Sequence, residues 1–183
     1  MKNNFISEKI FGKQFFSKYY LVILGVILLT ISSKISIPFF PIPMTLQTLV
    51  VYFISSFMGI LGFRAIFIYL LFGILGLPIF SDGGGFEFVF SPKFGFLYGM
   101  LFASLTIFFI LKKGLNNFTK IFMSIFLGFC SMYFIGICHL SYFIGFQKAL
   151  IDNFLPIIYG EFFKVFLATV MIYFLILKLR NNE

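Results

Sequence analysis

The sequence contains no tryptophan, one histidine, two cysteines and six acidic residues in 183 positions. Charged residues account for only 11% of the chain, whereas 61% is hydrophobic and the mean hydropathy is +1.07. So few charged groups cannot cover the surface of a water-soluble domain, which excludes a soluble globular protein. The composition indicates an integral membrane protein.

The scarcity of histidine and cysteine argues against metal and redox chemistry. Cys130 and Cys138 are separated by about 12 Å along one predicted helix, which is too far for a disulfide bond. We expect both to be small core residues. No Cys, His or carboxylate lies at metal-ligand spacing from His139, which is predicted to lie at the membrane interface. The sequence predicts neither a metal nor a cofactor.

Motifs for catalysis are also missing. There is no G-x-x-x-x-G-K-[ST] phosphate loop, and the glycines at 83–85 are followed by Glu87, which would repel a phosphate. The net charge of +8 comes from basic residues that flank apolar runs, a distribution that membrane topology explains better than nucleic acid binding. The chain is therefore predicted to be neither an enzyme nor a nucleic-acid-binding protein. Uphill transport would need an energy source on another subunit.

The sequence does contain six apolar segments, at residues 19–36, 44–62, 65–80, 94–111, 119–138 and 157–178. Each is close to the ~20 residues that cross a ~30 Å hydrocarbon core as a helix. This predicts an all-α membrane protein, with a polar and basic leader at 1–18 and one transmembrane domain of six helices at 19–183. The first segment is expected to stay in the membrane rather than to be cleaved as a signal peptide.

The lysine and arginine residues orient this bundle. If the N-terminus is cytoplasmic, the inner side holds ten basic residues and the outer side holds three. The positive-inside rule then places both termini in the cytoplasm. The ten are Lys2, Lys9, Lys13, Lys18, Arg64, Lys112, Lys113, Lys120, Lys178 and Arg180, and the three are Lys34, Lys93 and Lys148.

Three irregular or polar elements then meet at the outer face. The first is PFFPIPMTLQT at 38–48, in which Pro38, Pro41 and Pro43 block a helix before polar residues open the second segment. The second is the glycine-rich stretch GLPIFSDGGGFEFVFSPKFGFLYG at 76–99, and the third is the start of the sixth segment after Pro156. Their convergence beside an apolar interior predicts a ligand pocket that opens outward.

Glu161 and Lys164 are the clearest candidate functional residues, because charged side chains three residues apart share one face of a helix. They admit three roles, namely a structural ion pair, a substrate site, or a proton or ion relay. The amide of Gln47 is either a ligand contact or a hydrogen bond to the first turn of its helix. We expect Tyr69, Tyr98 and Tyr159 to be either ligand contacts or interfacial anchors.

Four stretches of the sequence match one known family in order and spacing. They are PIPMTLQT at 41–48, YLLFGILGLPIFSDGGG at 69–85, SPKFGFLYG at 91–99 and YGEFFK at 159–164. Through these stretches the chain resembles the BioY family, the biotin-binding S components of energy-coupling factor (ECF) transporters. The resemblance covers almost the whole chain from residue 19.

The resemblance implies a multi-pass subunit of a prokaryotic plasma membrane, which binds biotin beneath two outer loops. It also implies partners, namely a transmembrane coupling protein and two cytoplasmic ATPases. Carried over by position, the family's glycine-rich loop, its Gly-Pro-Thr-type motif and its Asp-x-x-Lys imply a substrate site that includes Gly84, Gly85, Pro92, Lys93, Glu161 and Lys164. Glu161 stands in place of the usual Asp, and Ser91, Lys93 and Phe94 stand in place of Gly, Thr and Gly.

The chemistry of these residues fits biotin, whose ureido ring carries two N–H donors and a carbonyl acceptor. We expect Glu161 to accept a hydrogen bond from a ureido N–H, and Lys164 to donate to the ureido carbonyl or to the valerate carboxylate. Other functions stay open at this point. They are an S component for another vitamin, a stand-alone or ion-coupled carrier, and a structural membrane subunit.

Overall fold

The computed structural model describes residues 5–11, 15–37, 44–114 and 117–181, and within these ranges the chain is mostly helical. The helices are α1 (Ile6–Phe11), α2 (Phe15–Lys34), α3 (Gln47–Met58), α4 (Ile60–Ile74), α5 (Phe94–Leu111), α6 (Phe118–Ile144), α7 (Phe146–Lys148) and α8 (Leu155–Asn181). A 3₁₀ turn spans Phe86–Phe90, and a π-helical turn at Ala149–Phe154 joins α7 to α8. The short strands β1 (Ser36–Ile37) and β2 (Met44–Thr45) pair antiparallel.

One helix of the structure accounts for most of each of the six predicted apolar segments, so the helical class is confirmed. Among the described residues, Phe94–Leu111, Phe118–Ile144 and Phe146–Asn181 are long and apolar enough to cross a membrane. Helices α3 and α4 are apolar but shorter, with 12 and 15 residues. The count of six crossings stays a prediction. Parts of the predicted leader, at 1–4 and 12–14, and Pro38, Pro41 and Pro43 lie outside the described residues.

Helix α3 lies at the centre of the bundle, where it contacts α1, α2, α4, α5, α6 and α8. Its inward face carries Val51, Tyr52 and Ile54, which are fully buried. Gly59 ends the helix with a φ of 58°, a conformation that glycine adopts without strain, and α4 begins at the next residue. This sharp turn brings α4 back against α3.

Helices α5 and α6 form the most extensive pair in the bundle. A methyl group added at Gly99 would lie 2.9 Å from the Met132 carbonyl oxygen, and one at Gly128 would lie 2.8 Å from a side-chain carbon of Ile107. Glycines at such positions let two helix backbones approach closely, which favours helix association in a membrane. The close packing fixes the apolar wall that α5 and α6 present to α3 and α8.

Two details differ from the sequence predictions. The third apolar segment is predicted to run to residue 80, whereas α4 ends at Ile74, because Gly76 has a φ of 104° and Pro78 follows it. Cys130 and Cys138 are predicted to be core residues, but both are exposed on α6. A thiol is apolar enough to face either lipid or core, so residue type alone does not assign it to a face.

Candidate functional site

Glu161 and Lys164 form a buried ion pair on α8. The Lys164 Nζ lies 2.5 Å from Glu161 Oε1, and the residues are only 6% and 1% exposed, respectively. Their i, i+3 spacing places both side chains on one face of the helix, as the sequence predicts. Each charge depends on the other, because an uncompensated charge at such a depth strongly destabilises the fold.

Lys164 uses its full hydrogen-bonding capacity within the protein. Besides Glu161, its Nζ donates to the carbonyl oxygen of Thr45 at 2.6 Å and to the Thr48 hydroxyl at 3.1 Å. An ammonium group has three donors and no acceptor, so all three are engaged. Thr45 ends β2 and Thr48 lies in the first turn of α3, and Lys164 therefore ties α8 to the start of α3.

The Glu161 carboxylate uses only one of its oxygens in the same way. Oε1 accepts from Lys164 and from the Thr48 hydroxyl at 3.3 Å. Oε2 is buried and has no hydrogen-bond partner among the described residues. The Tyr52 hydroxyl lies within electrostatic reach of this carboxylate, and the Tyr133 hydroxyl lies close enough to interact with it as a donor. A buried acceptor without a donor is costly, so Oε2 marks a position where a donor from a ligand would be stabilised.

Gln47, the first residue of α3, carries a second unsatisfied group. Its side chain is buried, and Nε2 has no partner within the described parts of the chain. No side-chain cap hydrogen bond forms at this end of α3. The amide N–H group is therefore a buried donor that a ligand acceptor could satisfy.

Both unsatisfied residues line a cavity bounded by β2, α3, α5, α6 and α8. The empty space among these side chains amounts to about 570 Å³ when the open solvent at its mouth is included. Its apolar walls include Phe88, Phe96, Leu97, Met100, Met132 and Ile157, and its polar lining includes Gln47, Thr48, Ser81, Lys93 and Glu161. Apolar walls with a few convergent polar groups are typical of a site for a small, partly polar molecule.

The connection from α4 to α5 covers one side of this cavity, and three donors fasten it. Tyr69 OH donates to the carbonyl of Ile79 at 3.0 Å, and Ser33 Oγ donates to the same carbonyl at 2.7 Å. Lys34 Nζ donates to the next carbonyl, that of Phe80. Tyr69 also lies next to Gln47. Tyr69 therefore holds the loop that covers the cavity, and it is not among the described lining residues.

The glycines of this connection have a related structural role. The Gly85 N–H donates to the Gly73 carbonyl at 2.7 Å, and Gly85 has a φ of 125°, which favours glycine. A side chain at Gly84 would collide with the backbone of Leu77. Neither Gly84 nor Gly85 is among the described lining residues, so both shape the loop beside the cavity.

Replacing Tyr69 by Phe is expected to weaken ligand binding without unfolding the protein. The change removes one of the two donors to the Ile79 carbonyl, and a single hydrogen bond contributes about 1 kcal/mol. We expect roughly a fivefold loss of affinity, mainly through faster dissociation. Dissociation rates of the bound ligand measure this effect. Tyr142→Phe, at a residue 88% exposed, is the matched control, and equal rates for the two variants would contradict the prediction.

The remaining candidate residues lie at the turn into α5 and around it. Lys93 lines the cavity and pairs with Asp82, whereas Pro92 precedes it outside the described lining. Tyr98 packs edge-on against His139. Tyr159 is 84% exposed and has the environment of an interfacial anchor.

His139 and the other potential ligands form no metal centre in the described part of the chain. The His139 Nε2 lies 3.2 Å from the Ser91 carbonyl oxygen. No group of three His, Cys, Asp or Glu side chains comes together within the described residues.

The sequence reasoning missed the apolar walls of the cavity. Phe96 and Met100 are one turn apart on α5, and Met132 and Tyr133 face them from α6. Their spacing is that of any buried helix face, and phenylalanine occurs 32 times in the chain. Only the pairing of α5 with α6 distinguishes these side chains from the rest.

Comparison with known proteins identifies the family. The sequence profile described as "BioY family" matches residues 6–181, which is nearly the whole chain. The chain belongs to the BioY family.

This member of the BioY family is similar to named relatives over most of its length. It is 33% identical over 153 residues to "Probable biotin transporter BioY" of Pyrococcus horikoshii, covering 82% of this chain and 91% of the relative. It is 31% identical over 154 residues to "Biotin transporter BioY2" of Lactococcus lactis, covering 82% and 85%. These names describe transporters and not enzymes.

The fold of this BioY protein is also similar to a solved structure. That crystal structure is described as the S-component for biotin from an ECF-type ABC transporter. The two structures superpose with a TM-score of 0.78 and 25% sequence identity, covering 86% of this chain and 89% of the other. The likeness extends over the helical bundle and supports the family assignment.

Proposed function

We propose that this BioY protein is the membrane subunit of a vitamin importer and captures biotin from the outer side of the membrane. The observation that carries the proposal is the carboxylate oxygen of Glu161 that has no partner among the described residues and belongs to a residue lining the cavity. The names of its relatives and of its structural neighbour support biotin as the substrate.

The ureido ring of biotin suits the inner end of this cavity. A ureido N–H would donate to Glu161 Oε2, and the ureido carbonyl would accept from Gln47 Nε2, so that both buried groups are satisfied. Lys164 holds the carboxylate in position. It can add a bond to the ureido carbonyl only by exchanging an existing one, of which the contact to Thr48 at 3.1 Å is the longest.

The rest of the molecule would lie along the apolar part of the cavity. The thioether ring of biotin is apolar and would lie against the aromatic and methionine side chains of α5 and α6, such as Phe96, Met100 and Met132. Burial of this surface contributes about 25 cal/mol per Å² of apolar area. Hydrogen bonds at the inner end then fix the orientation of the ligand.

The proposed orientation in the membrane rests on the distribution of basic residues, and the proposed partners rest on the family of the chain. Six crossings with both termini in the cytoplasm agree with the excess of basic residues on that side. The cavity would then open outward. The sequence contains no phosphate-binding loop, and the chain is similar to the S-component of an ECF-type ABC transporter. On that similarity we propose that a transmembrane coupling protein and two cytoplasmic ATPases supply the energy.

Equilibrium binding of radiolabelled biotin to the purified protein in detergent tests the proposal. A radiolabel is needed because the chain has no tryptophan whose fluorescence could report binding. Saturable binding of biotin, with none of riboflavin, is the expected result. If the folded protein ignores biotin, the proposed function is wrong, and uptake by cells with and without the ATPase subunits would separate an importer subunit from a stand-alone carrier.

Cysteine labelling tests the orientation. In a background in which Cys130 and Cys138 are replaced by Ser, we expect Glu87→Cys to react with a membrane-impermeant maleimide in intact cells. Lys113→Cys should react only after permeabilisation. Glu87 lies in the 3₁₀ turn before α5 and Lys113 follows the other end of α5, and both are exposed, so accessibility does not limit either reaction. The reverse pattern would invert the proposed topology.

A further inference from the structure

Lys93 occupies a special place in the cavity. It lies in the turn before α5, and its Nζ is 2.5 Å from Asp82 Oδ2. The side chains of Lys93 and Asp82 are 31% and 46% exposed, respectively, whereas Glu161 at the inner end is 1% exposed. Lys93 is therefore at the mouth of the cavity and Glu161 at its floor.

The charges of the cavity have a fixed order from floor to mouth. Among the described lining residues, Glu161 is the single carboxylate and Lys93 the single cation. Lys164 neutralises Glu161 within the protein, whereas Lys93 is paired only near the solvent. A ligand with hydrogen-bond donors at one end and a negative charge at the other matches this order.

Asp82 is a partner that Lys93 can exchange. Exposed ion pairs contribute little to stability, because water screens them and two flexible side chains must be held. Asp82 would remain hydrated and close to the Ser81 hydroxyl, which donates to Oδ2 at 3.3 Å. When a ligand carboxylate takes the place of Asp82 as the partner of Lys93, Lys93 therefore stays paired and no buried charge is left unpaired.

We infer that Lys93 binds the carboxylate of the substrate, releasing Asp82 as it does so, and that it makes the site selective for an acid over its neutral ester. The inference rests on the proposed function, in which biotin places its ureido ring at Glu161. The valerate carboxylate then lies toward the mouth, where Lys93 is. Lys93 is thus a specificity-determining residue that acts on the tail of the ligand.

The test compares the affinities of biotin and biotin methyl ester, which differ in the charge of the tail. We expect the parent protein to prefer the acid by about fivefold, the upper end for a partly exposed ion pair. In Lys93→Gln the ratio should fall to about one, whereas Asp82→Asn should keep or raise it, because Lys93 loses its competing partner. High salt should lower the ratio in the parent protein.

Lys148→Gln is the matched control, since Lys148 is an exposed lysine at the same end of the bundle, and its ratio should equal that of the parent. A Lys93→Gln protein that retains the parent's ratio overturns the inference. A lower ratio of acid to ester affinity in Asp82→Asn overturns the proposed exchange of Asp82 for the ligand carboxylate. Asp82 would then be holding Lys93 in place for the ligand. A folded parent protein that binds neither compound overturns the proposed function itself, and the inference with it.

Discussion

Replacing Glu161 by Leu together with Lys164 by Met is expected to give a protein that folds but no longer binds biotin. Removing both members of a buried ion pair for apolar residues of similar volume is often neutral for stability. The ligand, in contrast, loses its acceptor at Glu161 Oε2. A ureido N–H left buried without a partner costs about 1–3 kcal/mol, and the loss of a charged acceptor lies toward the upper end, so we expect a roughly hundredfold weaker affinity.

Radiolabelled biotin binding and thermal stability should be measured on the same preparation of this double variant. Lys178→Met, near the C-terminal end of the same helix, is the matched control and should bind biotin as the parent does. A double variant that is stable and still binds biotin with the parent's affinity would show that Glu161 and Lys164 do not contribute to ligand binding. It would also remove the main support for the proposed site.

Replacing Lys164 alone by Met is expected to destabilise the protein strongly. The Glu161 carboxylate would stay buried without a cation, next to the hydroxyls of Thr48 and Tyr133, and breaking a buried pair in this way costs about 3–5 kcal/mol. The Thr45 carbonyl would lose its donor as well. For a chain of this size, the midpoint of heat-induced unfolding should fall by roughly 10 °C.

The loss of monodisperse protein on heating, followed by size-exclusion chromatography in detergent, measures this midpoint. The double variant supplies the comparison, because its midpoint should lie well above that of Lys164→Met. If the single variant is as stable as the double variant, the ion pair does not carry the stability assigned to it, and Glu161 is tolerated alone at its depth.

The two predictions separate the roles that the sequence leaves open for the pair. Within the described residues, Lys164 donates to Thr45 and Thr48 as well as to Glu161, and so joins α8 to β2 and α3. This is a structural role. Glu161 keeps one oxygen without a partner, which points to recognition. A relay would need further ionisable groups at the same depth. Lys164 thus orients the carboxylate, and Glu161 presents it to the ligand.

Much of the fold could be predicted because it follows from local pattern. Apolar length and breaker residues predict a helix in each of the six segments, and Pro92 and Pro156 lie close to the starts of α5 and α8. The end of α4 is different. Gly76 and Pro78 carry the signal that stops the helix, but the apolar run continues past them, and hydropathy alone extends the segment.

The candidate site could be predicted only in part. Glu161 and Lys164 stand out because charge is rare in the chain, and Gln47 because it is polar at the start of an apolar segment. Gly84 and Gly85 follow from the family resemblance, whereas Tyr69 is a candidate as a tyrosine that could contact a ligand or the membrane interface. The sequence does not reveal that their contacts hold a loop rather than line the cavity, since this depends on where the loop carbonyls lie.

The sequence by itself determined the membrane class, the helical segments and the shared face of Glu161 and Lys164, because these depend on composition and on the 3.6-residue period of a helix. Only the tertiary structure decided which groups meet that pair. Thr45 and Thr48 lie more than a hundred positions away along the chain, and they come into contact through the packing of α3 against α8. That packing satisfies Lys164 completely and leaves one oxygen of Glu161 for a ligand.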